Sequence, residues 1–336
     1  MLRAIIGFDH IGKNLAEASW LPTCGYGITR TSGNKLLLIT PDGSLACAAG
    51  VSSGYTQSNL DLSPYLVPGI TGLTIGIRFK TIVAGNSGQM FFVSSTGADP
   101  QYIAPFSDLP AAAQLVGGEA YLEVVYNFTA GTYSLYWDNV LTYSGAIGTV
   151  NQTNLKAGKL VLMMEHTAPS GSGVTGIKDI VIIDDLPGDG YTTRIGPRKC
   201  VPITADVASG TDWTVSDGGT ILNALNAALE TGTATCTSGP SKAPLVVSLN
   251  ASGIPAGANV DGIMLTLAGK TDVPAALTGV SLTNGAKTIN GASKAIGTTL
   301  KYGNPMGTYA RDPNGARWTA ASIDSTSVSF TPDVAS

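Results

Sequence analysis

The chain has 336 residues, enough for two domains of ordinary size. Glycine occurs 42 times and charged residues make up only 12%, against averages of about 7% for glycine and about 25% for charged residues. This composition argues against long helices and favours short strands joined by tight turns. The net charge of −4 gives no indication of a polyanionic partner such as nucleic acid.

The apolar content is high for a chain whose sequence contains no membrane span. The mean hydropathy is +0.20, yet no apolar run approaches the roughly 20 residues that cross a bilayer. Near the N-terminus, the apolar residues 4–6 are too few for the core of a signal peptide. We therefore expect large cores, or apolar surface that becomes buried against neighbouring molecules.

The four cysteines lie far apart, at positions 24, 47, 200 and 236, and form neither a CxxC motif nor a Cys/His cluster. The sequence therefore predicts no zinc site. So few cysteines in a long chain suit a protein made in a reducing cytoplasm. Buried thiols are the favoured interpretation, and a disulfide between Cys24 and Cys47 is the alternative.

The clearest pattern in the first half is a double hairpin over residues 121–145. In residues 121–128, Leu122 and every second residue after it form an apolar row for a core, and Tyr121, Glu123 and their successors face the other way. Gly131 allows a short hairpin loop, and Asp138-Asn139 predicts a second tight turn. Residues 140–143 then return as a strand.

Other short strands are predicted throughout residues 1–187, and no helical period is found there. They cover residues 5–8, 35–40, 45–51, 73–81, 89–94, 159–165 and 177–184. Turn-forming residues at 184–190 mark a domain boundary, so that we expect a sandwich over 1–187, an extended linker over 188–200 and a second domain over 201–336.

The second domain is predicted to be a smaller β-sandwich with one short helix. Residues 205–213 are predicted as a polar turn region, and residues 221–230 as the helix. No further domain is expected after the last strand. The strands are expected over residues 245–249, 260–268, 276–283, 287–289 and 327–330.

The double hairpin resembles the laminin G-like and concanavalin A-like lectin/glucanase family of β-sandwiches, with Asp138-Asn139 where Asp-Gly is usual. The ordered features of the chain further resemble a class of bacteriophage virion protein. The matching features are the GFDHxG segment at residues 7–12, Trp20, Ile183-Asp184-Asp185, the connector with Gly196, Val201, Pro202, Ala205-Asp206 and Trp213, the VDGIMLTL strand at 260–267, and Trp318-Thr319 with Ile323. The insertion at residues 219–231 departs from this pattern.

The resemblance implies an all-β protein: a concanavalin A-like, jelly-roll type β-sandwich followed by the smaller sandwich. It also implies a non-enzymatic virion component of a tail fibre, baseplate or peripheral tail, made in the host bacterial cytoplasm. Capsid decoration or a head fibre is the alternative position. The implied partners are other virion proteins, further copies of the chain and a host surface glycan, with no cofactor, no nucleic acid and no membrane insertion.

A carbohydrate-active enzyme is the rival interpretation, because glycoside hydrolases of this superfamily carry Glu-x-Asp-x-Glu on one strand. The chain has no such motif. Glu119 and Glu123 share a strand face, but Tyr121 stands between them. We interpret them as two solvated edge carboxylates, and no catalytic residue is assigned.

Other candidate sites are outweighed by structural interpretations. His10 follows Asp9, as in an acid–histidine pair for a serine nucleophile, but residues 171–173 do not form a G-x-S-x-G elbow. His166 follows Glu165 at a strand end and is likewise assigned to packing. Binding residues are not identified, and no metal site is assigned.

Two further groups leave alternatives open. Asp184, Asp185 and Asp189 supply oxygens of the kind that bind calcium, but a polar boundary turn is favoured. The four tryptophans, at positions 20, 137, 213 and 318, are candidates for a sugar-stacking platform. Core packing is favoured for Trp137 and Trp213.

Overall fold

The chain is predominantly β-structure and divides into two compact units. The first comprises Met1–Asp9, Lys13–Leu21 and Tyr26–Cys200, and the second His10–Gly12, Pro22–Gly25 and Val201–Ser336. The computed structural model describes residues 1–8, 15–16, 21, 24–26, 28–33, 37–47, 54–83, 89–93, 101–105, 110–168, 174–226, 236–239, 242–272 and 276–334.

The first unit is a β-sandwich of two antiparallel sheets, which confirms the predicted class. Its strands are β1 (Leu2–Ile6), β2 (Leu15–Ala16), β3 (Ile28–Gly33), β4 (Leu37–Ile39), β5 (Leu45–Cys47), β6 (Gly54–Asp61), β7 (Gly72–Val83), β8 (Gln89–Val93), β9 (Gln101–Pro105), β10 (Glu119–Asn127), β11 (Thr132–Trp137), β12 (Val140–Ala146), β13 (Val161–Ala168) and β14 (Val174–Asp184). The nine-stranded sheet has the order β12-β11-β10-β7-β14-β5-β4-β2, and β1 also pairs with β14. The five-stranded sheet has the order β3-β6-β13-β8-β9.

Alternation along the strands explains the core of this sandwich. On β10, Leu122, Val124 and Tyr126 are buried, and their partners on β7 are Ile77, Ile75 and Leu73. These rows form the inner face of the nine-stranded sheet, as the period of two predicts. We call the opposite face, which carries Tyr121 and Glu123, the outer face.

Both predicted turns of the double hairpin are confirmed. Gly131 has φ +66°, and Asp138 and Asn139 have φ +45° and +74°. Two consecutive positive φ values are typical of the two-residue hairpin turn whose twist matches the flanking strands. The Asp138 carboxylate accepts a hydrogen bond from Tyr121 N at 2.9 Å, which offsets the strain of its backbone.

The statement that the first half contains no helix is wrong at one place. Helix α1 (Thr149–Lys156) follows β12 and connects it to β13. Its sequence, TVNQTNLK, offers a single buried leucine, Leu155, so that it has no apolar stripe for a periodicity test to detect. Short 3₁₀ turns also occur at Ser63–Tyr65 and Ala111–Gln114.

The second unit contains a six-stranded sheet and two two-stranded sheets. Its elements are β15 (Thr204–Ser209), β16 (Thr214–Val215), α2 (Ile221–Asn226), β17 (Cys236–Thr237), β18 (Leu245–Asn250), β19 (Ile263–Gly269), β20 (Ala276–Asn284), β21 (Lys287–Asn290), β22 (Lys294–Ala295), β23 (Lys301–Tyr309), α3 (Ala320–Asp324) and β24 (Thr326–Val334). The large sheet has the order β15-β18-β24-β20-β21, with β22 also on β20; β16 pairs with β17, and β19 pairs with β23.

The core of this unit lies between the β19–β23 pair and the six-stranded sheet. Ile263 and Met306 from the pair pack with Leu282 and Val328 from the large sheet and with Trp318. The Trp318 indole Nε1 donates to Tyr309 O at 2.8 Å, so that its polar group is satisfied in the core.

Three predicted elements of the second half differ from the structure. The polar turn region at 205–213 begins with a strand, β15, which pairs with β18. The predicted helix 221–230 is helical over Ile221–Asn226, and residues 227–230 lie outside the described residues. Residues 188–200 contain neither helix nor strand and belong to the first compact unit, whereas the sequence suggested a separate linker.

Candidate functional site

The two carboxylates singled out by the sequence lie on the outer face of the nine-stranded sheet. Glu119 is opposite Lys80, and Glu123 is opposite Gly76 on one side and Tyr136 on the other. Neither residue is on a sheet edge, because β10 lies between β7 and β11. Glu119 is exposed to solvent, as expected, but for Glu123 the interpretation as a solvated carboxylate is wrong. Glu123 is only 1% exposed.

Glu123 is buried because residues 194–200, which we call the strap, cross the outer face above it. Its Oε2 accepts from Arg194 Nε at 2.9 Å, and its Oε1 accepts from Ile195 N at 3.2 Å and Gly196 N at 3.0 Å. A buried carboxylate is stable only when it is paired and hydrogen-bonded, and three donors meet that requirement here.

Arg194 joins the strap to the second hairpin. Its Nη2 donates to Asn139 Oδ1 at 2.9 Å, and its Cζ lies 3.6 Å from the centroid of the Tyr136 ring. Gly196 has φ +74°, and a Cβ there would lie 2.8 Å from Asn139 Oδ1. The strap therefore needs glycine at this position, for its backbone conformation and for its close approach to the turn.

The other end of the strap is bound by a second buried ion pair. Arg78 Nε donates to Asp179 Oδ2 at 2.6 Å, and Arg78 Nη2 donates to Arg198 O. Asp179 Oδ1 accepts from Cys200 N at 3.0 Å. Asp179 has φ +52° where the β7–β14 register shifts, and it is 1% exposed. The bulge turns its carboxylate toward the strap.

A closed ring of charges adjoins this pair. Lys80 Nζ lies 3.1 Å from Asp42 and 3.7 Å from Glu119, and Lys178 Nζ lies 3.3 Å and 3.2 Å from the same two carboxylates. Each cation contacts both anions, so that the ring is neutral as a unit.

The ring also sets the titration of its members. Burial raises the pKa of Asp42, but hydrogen bonds from Thr40, Lys80 and Ser44 outweigh it, and the pKa lies well below its usual range. Burial lowers the pKa of Lys178, but Glu119 and Asp42 outweigh it, and the pKa is raised. Both groups therefore remain charged over the whole physiological range.

Tyr121 lies between the two carboxylates on the same face of β10. Its ring covers Gly76, where an added Cβ would lie 2.1 Å from the hydroxyl oxygen. Burial, followed by the nearby charge of Glu123, raises the pKa of the Tyr121 phenol. This hydroxyl has no hydrogen-bond partner among the described residues. The aromatic ring thus provides packing, and its buried hydroxyl is unpaired within the part of the chain that the structure describes.

Together these contacts form an interlocked polar layer between the sheet and the strap. Each carboxylate of the layer is bound by cations, by backbone amides or by both. Such an arrangement fixes geometry. Within it, Glu119 is paired with Lys80 and Lys178, and Glu123 is paired with Arg194.

The acidic turn considered for calcium is filled by protein donors. The hydrogen bonds run from Leu186 N and Arg3 Nε to Asp184, from Thr71 N to Asp185, and from Leu2 N and Tyr191 N to Asp189. Among the described residues, no group of three or more His, Cys, Asp or Glu side chains is placed to hold a metal ion. The boundary-turn interpretation accounts for these contacts.

The remaining candidates are dispersed or lie outside the described residues. His10, Trp20 and residues 171–173 lie outside them, as does the side chain of His166. Trp137 is a core residue, as favoured, with its ring centroid 5.3 Å from that of Phe79. Trp213 is partly buried and donates to Ala243 O at 3.0 Å. Cys24 is buried, and the side chain of Cys47 lies outside the described residues.

A surface that the sequence did not single out lies at one corner of the same sheet. We call it the apolar corner; it consists of Leu115, Val116, Val140, Leu141 and Tyr143, which are between 52% and 67% exposed. Among the described residues, Val207 in the second unit is the one other large hydrophobic side chain with such exposure.

Backbone pairing places the parts of the corner at the same end of the sheet. Gly117 N donates to Thr81 O at 2.8 Å, which attaches the Leu115–Val116 turn to the end of β7. Val140 pairs with Trp137, which in turn pairs with Leu122 on β10. Three strand spacings separate β7 from β12, so that the corner extends over about 14 Å across the sheet.

Comparisons with known proteins do not identify a family for this chain. No protein-family model matches the sequence, and no curated protein matches it. The Lotus tetragonolobus seed lectin is similar over 53% of this chain and 97% of its own, with 11% identity and a TM-score of 0.34. The CBM22-1–CBM22-2 tandem domain of Paenibacillus barcinonensis Xyn10C is similar over 100% of this chain and 98% of its own, with 11% identity and a TM-score of 0.29.

A sialidase is similar over 46% of this chain and 17% of its own, with 8% identity and a TM-score of 0.30. The chain thus corresponds to a small part of that protein. Such low scores support no argument about activity or ligand. The assignment of a β-sandwich depends on the strands and sheets described above.

Helices contribute little to the structure, and none of those described is long and apolar enough to span a membrane. The strap and the apolar corner are the two structural features that sequence reasoning missed. The signal for the strap was Gly196, the only glycine between Arg194 and Cys200, but nothing in the sequence links it to Glu123. The signal for the corner was the absence of any charge from residues 140–146.

Proposed function

We propose that the protein is a non-enzymatic structural component of a bacteriophage particle. It is built into a tail fibre, a baseplate or another peripheral part of the tail through contacts with other virion proteins and with further copies of itself. The alternative position is on the head, as a decoration or head-fibre protein. On this proposal the protein is made in the bacterial cytoplasm and then becomes part of the virion.

The observation that carries the proposal is the apolar corner. Large hydrophobic side chains that a folded protein leaves exposed at one end of a sheet mark an interaction site, because they become buried in the assembled state. The corner joins a turn fixed by backbone hydrogen bonds to a terminal strand of the sheet. The interlocked polar layer supports the same function, because a part of a particle needs a stiff sandwich more than it needs an open cleft.

Adhesion to a host surface glycan is proposed as a second role. Tyr143 is 52% exposed and its ring centroid lies 5.7 Å from that of Tyr133, which offers an aromatic surface for a sugar ring. A carbohydrate-active enzyme is the disfavoured alternative, since Glu119 and Glu123 are already bound within the protein.

The proposal is tested on particles from cultures of the source organism. Particles are banded in a density gradient, probed with an antibody against the chain, and labelled with gold for electron microscopy. We expect the chain to band with the particles, and the gold to lie on the tail; gold on the head selects the decoration alternative. A chain that stays in the soluble fraction at every step refutes the virion role.

A further inference from the structure

Strand β12 differs from the other strands that end the three large sheets. A sheet edge is a template for pairing with another chain, and proteins protect it with charge, proline or short length. Five of the six edges have such a feature: β2 has two residues, β3 contains Arg30, β9 ends in Pro105, β15 contains Asp206, and β21 contains Lys287. Strand β12 has seven residues, Val140–Ala146, with neither charge nor proline, and its one irregularity is a bulge at Thr142.

We infer that β12 pairs antiparallel with β12 of a second copy of this chain, so that the two nine-stranded sheets become continuous across a twofold axis. The inference rests on the proposed function, because it names the surface and the partner through which copies associate. In such an isologous contact the same residues are used on both sides.

The charge distribution selects a second copy as the occupant. Neither β11 nor β12 contains a charged residue, so that two copies meet at this edge without like-charge repulsion. The other sheet edges offer charge, proline or too few residues for an extended ladder. A copy of β12 is therefore the strand of this chain that matches β12 best.

The orientation follows from Asp138. This carboxylate lies at the start of β12, and a parallel pair would bring two copies of it side by side. In an antiparallel pair they lie at opposite ends of a seven-residue strand, about 24 Å apart. That separation exceeds the screening length of about 8 Å at physiological salt, and the repulsion disappears.

The side chains of β12 flank a partner strand on both faces. Leu141 is opposite Tyr136 and Tyr143 is opposite Leu135, with a register shift between these pairs. Because Tyr136 faces outward and Leu135 faces the core, Leu141 and Tyr143 lie on opposite faces of the sheet. On each face, these side chains would pack against side chains of β12 from the second copy, and such cross-strand contacts stabilise a sheet.

The test is the mass of the intact chain in solution, by light scattering over a concentration series. Variants Leu141→Lys and Tyr143→Lys each place two new charges in an isologous interface, and we expect at least tenfold weaker association. Val207→Lys is the matched control, since Val207 is equally exposed and lies on the edge strand β15. Leu115→Lys changes the turn of the apolar corner and leaves β12 intact, so that it shows whether the turn or the strand edge carries the association. Circular dichroism and the Tm confirm that each variant is folded.

Cysteine substitution tests the symmetry. Single cysteines at each of the seven positions of β12, residues 140–146, are oxidised under mild conditions, with the wild-type chain as the control for the native cysteines. An antiparallel twofold contact brings one position opposite itself, so that one variant forms a disulfide dimer and its neighbours do so far less. Equal cross-linking at all seven positions, or none above wild type, overturns the inferred pairing.

The outcomes separate the inference from the function on which it rests. Association that is lost in Tyr143→Lys and retained in Val207→Lys supports the β12 contact. Association that survives both β12 variants overturns the contact and leaves the virion role standing. A wild-type chain that is monomeric at every concentration also overturns the contact, and the particle-banding experiment then decides the virion role by itself.

Discussion

Replacement of the buried carboxylate of Glu123 is the sharpest test of how the strap is held. Glu123→Gln keeps the shape of the side chain and removes its charge. The Arg194 guanidinium then faces a neutral group, and the amide NH₂ faces donors instead of accepting from them. Breaking a buried ion pair from one side costs about 3–5 kcal/mol. Because Arg194 is partly exposed and recovers some hydration, we expect a loss of about 3 kcal/mol in the free energy of unfolding.

The matched control is Glu119→Gln, four residues earlier on the same strand and face. Its carboxylate is 35% exposed, and Lys178 and Lys80 remain paired with Asp42 when it is neutralised. Exposed ion pairs contribute about 0–1 kcal/mol, so that this variant should lose less than about 1 kcal/mol. The two variants make the same chemical change at a buried and at a partly exposed carboxylate, and the difference between them reports the burial of Glu123 together with its hydrogen bonds from the strap.

The assay combines urea unfolding of the full chain with hydrogen exchange read by mass spectrometry. In Glu123→Gln, the amides of Ile195 and Gly196 lose a charged acceptor, so that peptides covering the strap should exchange faster while those covering β7 do not. In Glu119→Gln, exchange of the strap should be unchanged. Equal destabilisation by the two variants, or unaltered strap exchange in Glu123→Gln, refutes the conclusion that Glu123 holds the strap.

Three further predictions concern the same face. Gly196→Ala should lose about 1 kcal/mol more stability than Gly69→Ala, because both have positive φ but only Gly196 has Asn139 within 4 Å; equal losses in urea unfolding would show that contact to be irrelevant. Tyr121→Phe should leave stability unchanged or raise it by up to about 1 kcal/mol, since it removes a buried hydroxyl that has no partner among the described residues; a clear loss would mean that the hydroxyl is bound. Because the pKa of Asp42 is lowered in the folded state, its charge stabilises the fold above the usual pKa of 3.8. This stabilisation is lost as the pH falls toward the folded-state pKa. The difference in Tm between wild type and Asp42→Asn should therefore be largest above about pH 5 and should shrink in acid. A difference in Tm that does not change between pH 6 and pH 2.5 would contradict it.

The strands and turns of the first unit could be predicted because their signals are local. The alternation of Leu122, Val124 and Tyr126 follows directly from the geometry of a strand, and burial confirms it. Asp138-Asn139 predicts a turn because both side chains tolerate positive φ, and both residues have it. No distant contact is needed for either inference.

The candidate site could not be predicted in the same way. A period of two shows that Glu119 and Glu123 share a face, but it does not show what covers that face. Glu123 is buried by Arg194, which lies 71 positions later, and no pattern in the sequence joins them. Likewise, residues 140–143 predict a strand, but only the sheet order shows that β12 ends the sheet and leaves its apolar residues exposed.

The most direct test of the virion role is the copy number of this chain in purified particles. Isotope-labelled peptides from the described strands, such as those covering β10 and β11, allow the chain to be counted by mass spectrometry against a major particle protein. We predict a fixed number of copies per particle that does not change through successive rounds of banding. A copy number that falls with each round, or is far below one per particle, would contradict a structural role in the virion.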